Sequence, residues 1–194
     1  MLTHFPFRFP WLLGRFNYKE EVANAQQVKS SVHRAIRQKA VEQFPGLEPY
    51  LDEVMPKKDP IHLLKLRDSH LQLIVVNKEV LFFHDRDGPY MPTLRLVHKC
   101  PSMITHQTVD IGAFPFVMRG VNVMAPGLTS KGGKLTPAPV NTVVAVMGEG
   151  KEHAMAIGIM KMSSDQIKSV NKGIAIESVH FLNDGLWAYK NVDV

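Results

Sequence analysis

Hydrophobic positions change their spacing along this chain, and the changes divide it. From Tyr18 to Phe44 the residues Val22, Ala25, Val28, Val32, Ala35, Ile36, Ala40, Val41 and Phe44 recur at steps of three and four. That spacing predicts an amphipathic helix, which Pro45 and Gly46 stop. LEPYLDEVM reads as a short second helix ended by Pro56. After KKDP the pattern turns β-rich: IHLLKLRD, LQLIVVN, VLFF and PTLRLVHK are expected strands, with Asp87-Gly88 as a turn between two of them. Residues 17–104 therefore read as an α+β domain, helices first and a meandering antiparallel sheet after.

Around His106 the texture shifts again. QTVD, VNVMAP, NTVVAVM, HAMAIGIMKM, GIAIESVHF and LWAY are short β-like runs separated by turns centred on glycine, which predicts a small barrel. One helix interrupts it, where Ser163 and Gln166 have capping-box spacing and Gly173 can supply a left-handed stop. The opening MLTHFPFRFPWLLGRF lacks acidic groups, an uninterrupted apolar region and a small-residue cleavage site, and Pro6 and Pro10 oppose a targeting helix. Residues 1–16 read as a mobile extension.

Composition narrows the function classes. Apolar residues at 45% and charged residues at 21% are ordinary for a soluble domain. No apolar run approaches the ~18 to 20 residues that span a bilayer, so no membrane partner is expected. A single cysteine, Cys100, rules out an internal disulfide and any cysteine-only zinc site, and suits the cytoplasm. The net charge is +5. Its excess sits early: the first 105 residues carry 15 Lys or Arg against 11 Asp or Glu, and the rest carry 8 against 7. Such a balance is compatible with RNA contact.

Candidate chemistry fails on specific groups. In VMAPGLTSKGGKL, Gly127 and Gly132 have the separation of a phosphate-binding loop. Gly133 stands where its lysine is needed, and Lys134 is followed by Leu135 rather than Ser or Thr. Pro137 and Pro139 then block the helix that such a loop must open. HDRDG begins like a calcium loop but lacks its later oxygen ligands, and Ser130 is not in a nucleophile elbow. His98, Cys100 and His106 match no compact zinc spacing. No catalytic residue, metal or cofactor is expected; a small Cys/His- or metal-dependent enzyme at His98 to His106 stands as a rival.

Two surface features could meet a partner. Lys29, His33 and Arg37 lie four apart on one helix face, and Lys57 and Lys58 present adjacent charge in MPKKDP. Each reads as a solvated face or as a partner or ribosome contact, and the apolar residues around the two lysines as core packing or as a docking patch.

VDIGAFPFVMRGVNVMAPGL, VVAVMGEGKEHAMAIGIMKMS and NKGIAIESVHFLNDGLW together resemble a PUA domain over residues 106–190. The ordered elements are Gly112-Ala113, Gly120, Pro126-Gly127 and the closing HFLNDGLW. With EQFPGLEPYLDEVMPKKDP and DGPYMPTLRLVHK, the chain from about residue 17 to 190 is similar to the malignant T-cell-amplified sequence family. The resemblance implies an N-terminal domain followed by a PUA β pseudo-barrel, and no enzymatic step. It implies a translation factor that pairs with a density-regulated-protein homologue on the small ribosomal subunit. Removal of tRNA after termination, reinitiation, and placement of initiator tRNA without the usual factor are the implied roles. A PUA accessory protein of RNA modification is the alternative. The implied RNA-binding positions are Gly112, Ala113, Arg119, Gly120, Ala125, Pro126 and Gly127, with Lys131 and Lys134 beside them. The family's proline after the Ser of GLTS is replaced here by Lys131, which departs from a phosphorylation pattern at Ser130. Thr93 keeps its surroundings and is the candidate phosphorylation residue.

Overall fold

Two five-stranded sheets, one from each half of the chain, share a core in this computed structural model, which describes residues 16–67, 69–86 and 88–193. The first sheet is an antiparallel meander of β1 (Val22–Gln27), β2 (Ile61–Leu66), β3 (Leu71–Val76), β4 (Glu79–Asp85) and β5 (Met91–Pro92) in sequence order. The second runs β6-β8-β9-β10-β7, from β6 (His106–Val109), β7 (Val123–Met124), β8 (Val143–Gly148), β9 (Ala154–Met160) and β10 (Ile174–Phe181). Only its β6–β8 pairing is parallel, so it is a mixed sheet, and it curls into the half-barrel expected of this part of the chain.

β8 and β9 are buried along their whole length because each face meets a different core. Strand alternation sends Val143, Ala145 and Met147 toward the core shared with the first sheet, and Val144 and Val146 into the barrel. This is why both read as continuous apolar runs rather than alternating ones. The shared core also takes in Phe82, Phe83, Leu94 and Val97 from the first half.

Several sequence expectations change. The helix expected over residues 18–44 is three elements: α1 (Tyr18–Glu21), β1, and α2 (Ser30–Gln43). The apolar spacing over Val22 to Val28 was too short to report a buried face; Ala25 is exposed, and pairing with β2 satisfies the backbone instead. PTLRLVHK forms a helix, α4 (Leu94–Lys99), not a strand, because the Thr93 hydroxyl accepts from Leu96 N and starts a turn of good helix formers. In the first half the remaining helix is α3 (Leu51–Val54), preceded by a 3₁₀ turn over Pro45–Tyr50.

In the barrel, VNVMAP gives only the two residues of β7 between α5 (Phe114–Val117) and α6 (Ala125–Thr129). LWAY is also helical: in α8 (Gly185–Ala188) the Asp184 carboxylate caps Trp187 N. The capping box of Ser163 and Gln166 forms as expected on α7 (Ser164–Val170), but Asn171 at φ +45°, rather than Gly173, provides its left-handed cap.

Residues 1–15 of the expected extension and Asp87 of the expected turn lie outside the described residues. Phe16, assigned to that extension, is packed in the core and meets Tyr189 edge to face at 5.7 Å.

Candidate nucleic-acid interface

Asp110, at the end of β6, ties together the two segments expected to face RNA. Its Oδ1 accepts from Ala113 N at 2.9 Å, its own N–H donates to Gly127 O at 3.0 Å, and its Oδ2 accepts from the Ser130 hydroxyl. The start of α5 is thereby held against α6. A β-carbon on Gly127 would sit 3.5 Å from the Ala113 methyl, and one on Gly112 would sit 3.1 Å from Asp110 Oδ1. Thr129 Oγ1 donates to Asn171 Oδ1 at 2.5 Å, which fixes the far end of α6 to the cap of α7.

The expected residues divide into groups. Gly112, Ala113, Pro126 and Gly127 converge on one cradle, with Arg119 exposed at the end of α5. Ala125 is buried, its N–H donating to Gly173 O at 3.0 Å, so it positions the cradle without reaching its surface. Gly120 has a reason within the fold: φ is +74°, and a β-carbon would lie 2.4 Å from the Phe181 ring. Lys131 and Lys134 are both exposed on the loop after α6. The Lys134 main chain bridges Thr108 in both directions, at 2.8 and 2.9 Å, and its side chain shares a surface pocket with Lys151.

Sequence reading missed Lys151 and the apolar rim. Ile111 and Phe116, 64% and 56% exposed, stand out from the short helical turns, and Met124 opposes Ile174 across β7 and β10 with both exposed. Apolar residues outnumber what this small element can bury, and an exposed aromatic beside cations is the composition of a base-stacking surface. Only Pro115 at the first turn hinted that FPFV is a short surface helix rather than a core run.

A second site forms on the first half. His33, Arg37, Lys57 and Lys58 line one open groove of about 420 Å³, together with Arg34, while Lys29, the residue before α2, makes no side-chain cap and lies outside that lining. Arg37 is turned inward; it donates to Asp52 Oδ1 at 2.5 Å and to Leu51 O at 3.4 Å, so its charge is committed to the fold. His33 Nε2 lies 3.2 Å from Asp59 O.

The residues of the rival enzymatic reading are engaged in packing. His98 Nε2 donates to Ala154 O at 2.8 Å, and His106 Nε2 lies 2.8 Å from Pro101 O. Burial holds His98 below its ordinary value, and it pushes the Cys100 thiol up, away from a reactive thiolate. Among the described residues no three His, Cys, Asp or Glu side chains are grouped to hold a metal, and no helix is long and apolar enough to cross a membrane. Thr93 does not offer its hydroxyl to a kinase in this fold: it is 3% exposed, donating to Val80 O at 2.9 Å while capping α4. The folded chain encloses the candidate phosphorylation residue.

A Pre-PUA-like domain model matches residues 16–101, and a PUA domain model matches residues 106–182. Malignant T-cell-amplified sequence 1 of Rattus norvegicus is 54% identical over 177 residues, covering 91% of this chain and 97% of the relative. The chain belongs to the malignant T-cell-amplified sequence family. A Drosophila melanogaster homologue of that family member is 51% identical over 93% of this chain and 100% of its own length. Among solved structures, a hypothetical protein of Pyrococcus horikoshii shares the fold with a TM-score of 0.69 at 23% identity, covering 86% of this chain and 99% of its own. A PUA domain from Aeropyrum pernix, solved as a tartrate complex, follows at 0.62 and 20% identity, covering 84% and 89%. Membership of the malignant T-cell-amplified sequence family and the PUA domain support an RNA-binding, translation-related protein.

Proposed function

We propose that this chain is a non-enzymatic translation factor that grips tRNA through its PUA cradle while seated on the small ribosomal subunit with a density-regulated-protein homologue. Its tasks would be release of tRNA after termination, reinitiation, and placement of initiator tRNA without the usual factor. The observation that carries this reading is the cradle itself. Gly112, Ala113 and Gly127 bring two main-chain segments together, and Arg119, Lys131 and Lys134 are exposed on the turns that follow them in the chain. The glycines admit a close backbone approach, scattered cations suit phosphate oxygens, and the exposed Phe116 ring suits a base face. None of these groups forms or breaks a covalent bond. The work is geometric: an RNA end and a larger particle are held in one orientation.

Gradient sedimentation of cell extract tests the assignment. Enrichment with small subunits, lost on Arg119→Glu with Lys131→Glu, is the expected result. Co-purification with an RNA-modification complex and no small-subunit enrichment would replace it by the accessory-protein reading.

A further inference from the structure

β1 lies at the margin of the first sheet, and among the described residues no strand pairs with its outer side. Val28 N donates inward to Ile61 O at 2.9 Å, so alternation turns the N–H and C=O of Gln27 and Ala25 outward. The strand VANAQQ carries neither proline nor charge, two devices that normally block an open edge. Its one irregularity, a bulge between Val22 and Asn24, precedes the outward-facing pair.

The basic groove adjoins this edge, and Gln27 and Val28 are part of its wall. Arg34 and Lys58 have no acidic partner among the described residues, and Lys57 reaches Asp52 only at 3.9 Å, sharing it with Arg37. Val28 and Pro60 supply apolar footing over the buried Ile61, and Asp59, the one acidic residue of the lining, accepts from Asn77 Nδ2 at 2.7 Å. No Phe, Tyr or Trp lines the groove, and its one ring, His33, is held with Nε2 3.2 Å from Asp59 O, so it lacks the row of aromatic faces on which successive bases stack. An open strand edge matches a peptide backbone, which repeats donors and acceptors at the strand period, and does not match a sugar-phosphate chain.

We propose that the outer edge of β1 and the adjoining groove dock an extended, acidic peptide segment of a protein partner. The segment adds a strand to β1 through Ala25 and Gln27 and lays its carboxylates against Arg34, Lys57 and Lys58. Main-chain pairing fixes its register, and the charges select acidic sequences and speed encounter. This deepens the partner half of the proposed function and rests on that half; it is independent of the RNA cradle.

The probe is an end-capped octapeptide alternating Glu and Val, titrated into the full-length chain under amide-resolved NMR with hydrogen exchange. Binding that weakens with salt and protects the Ala25 and Gln27 amides is expected. A Lys-Val counterpart should not bind, and an N-methylated Glu-Val peptide, which cannot complete the ladder, should lose binding. Arg34→Glu with Lys58→Glu should weaken the Glu-Val peptide roughly tenfold. Ala25→Pro removes an outward N–H that the native sheet does not use, so it should fold and fail to bind; the N-methylated peptide makes the same test with the protein unaltered. Unprotected Ala25 and Gln27 amides in the presence of the Glu-Val peptide would overturn the proposal. So would an octauridylate RNA that shifts the groove while the peptide leaves it unmoved. Capture of a density-regulated-protein homologue by the same samples separates the two failures: a homologue that binds without protecting the Ala25 and Gln27 amides overturns the docking edge alone, and no capture while the Glu-Val peptide still protects those amides contradicts the partner half.

Discussion

His180 Nδ1 lies 2.6 Å from Asp184 Oδ2, and both side chains are sealed from solvent. The same carboxylate accepts from Phe181 N at 3.0 Å and from Trp187 N at 2.8 Å, so one aspartate closes the turn after β10 and starts α8. The His180 ring meets Phe83 of the first sheet edge to face at 6.0 Å, which passes the order of that turn into the neighbouring domain. Asp184→Ala removes three acceptor contacts and strands a buried imidazole. It should cost about 3 kcal/mol of unfolding free energy, read from urea denaturation of the whole chain.

Arg95 makes a second link between the halves. It donates to Trp187 O at 2.6 Å, and its guanidinium lies 4.2 Å from the centre of the Trp187 ring. Arg95→Lys keeps the charge and loses the planar stack and the fork. A loss of about 1 kcal/mol is expected, with proteolysis between residues 99 and 106 becoming faster. An unchanged denaturation midpoint would show the link to be idle.

The His98 imidazole sits between the domains, donating to Ala154 O, and burial above all favours its neutral form. Its folded value therefore lies below the ordinary 6.5, and the unfolded chain binds the proton first as pH falls. Stability contributed by this histidine is complete above 6.5 and is lost as pH drops below it toward the folded value. Thermal unfolding from pH 8 to pH 5 should show a falling midpoint, and His98→Gln should flatten that slope. Equal slopes would remove His98 from the account.

Two glycines near the cradle should behave in opposite ways. Gly120→Ala meets the Phe181 ring at 2.4 Å with φ at +74°, so it should destabilise the fold by more than about 1 kcal/mol. Gly127→Ala meets only an ordinary contact at 3.5 Å inside α6, so it should fold as well as the parent. If the cradle receives RNA main chain, Gly127→Ala lowers RNA affinity without a change in midpoint.

How far the sequence could be read follows from where the ordering forces lie. β2, β3 and β4 were visible because their apolar residues mark the faces that they bury. α4 and α8 were not, because Thr93 and Asp184 set them by side-chain capping of single N–H groups, which hydropathy does not register. The edge strand β1 was hidden because its side chains are mostly exposed and its order comes from partners 35 and more residues away. For the cradle, family resemblance supplied the glycine positions, and the fold supplies a packing reason for each. Gly120 answers to Phe181, a contact distant in sequence, whereas Gly127 faces Ala113 across the cradle.

The measurement closest to the central claim is equilibrium binding of tRNA to the intact protein across a salt series, with and without Lys131→Ala and Lys134→Ala. The account predicts saturable binding whose salt slope falls by about one for each lysine removed, with both variants as stable as the parent. Absence of tRNA binding at moderate ionic strength, or a slope indifferent to both lysines, would contradict it.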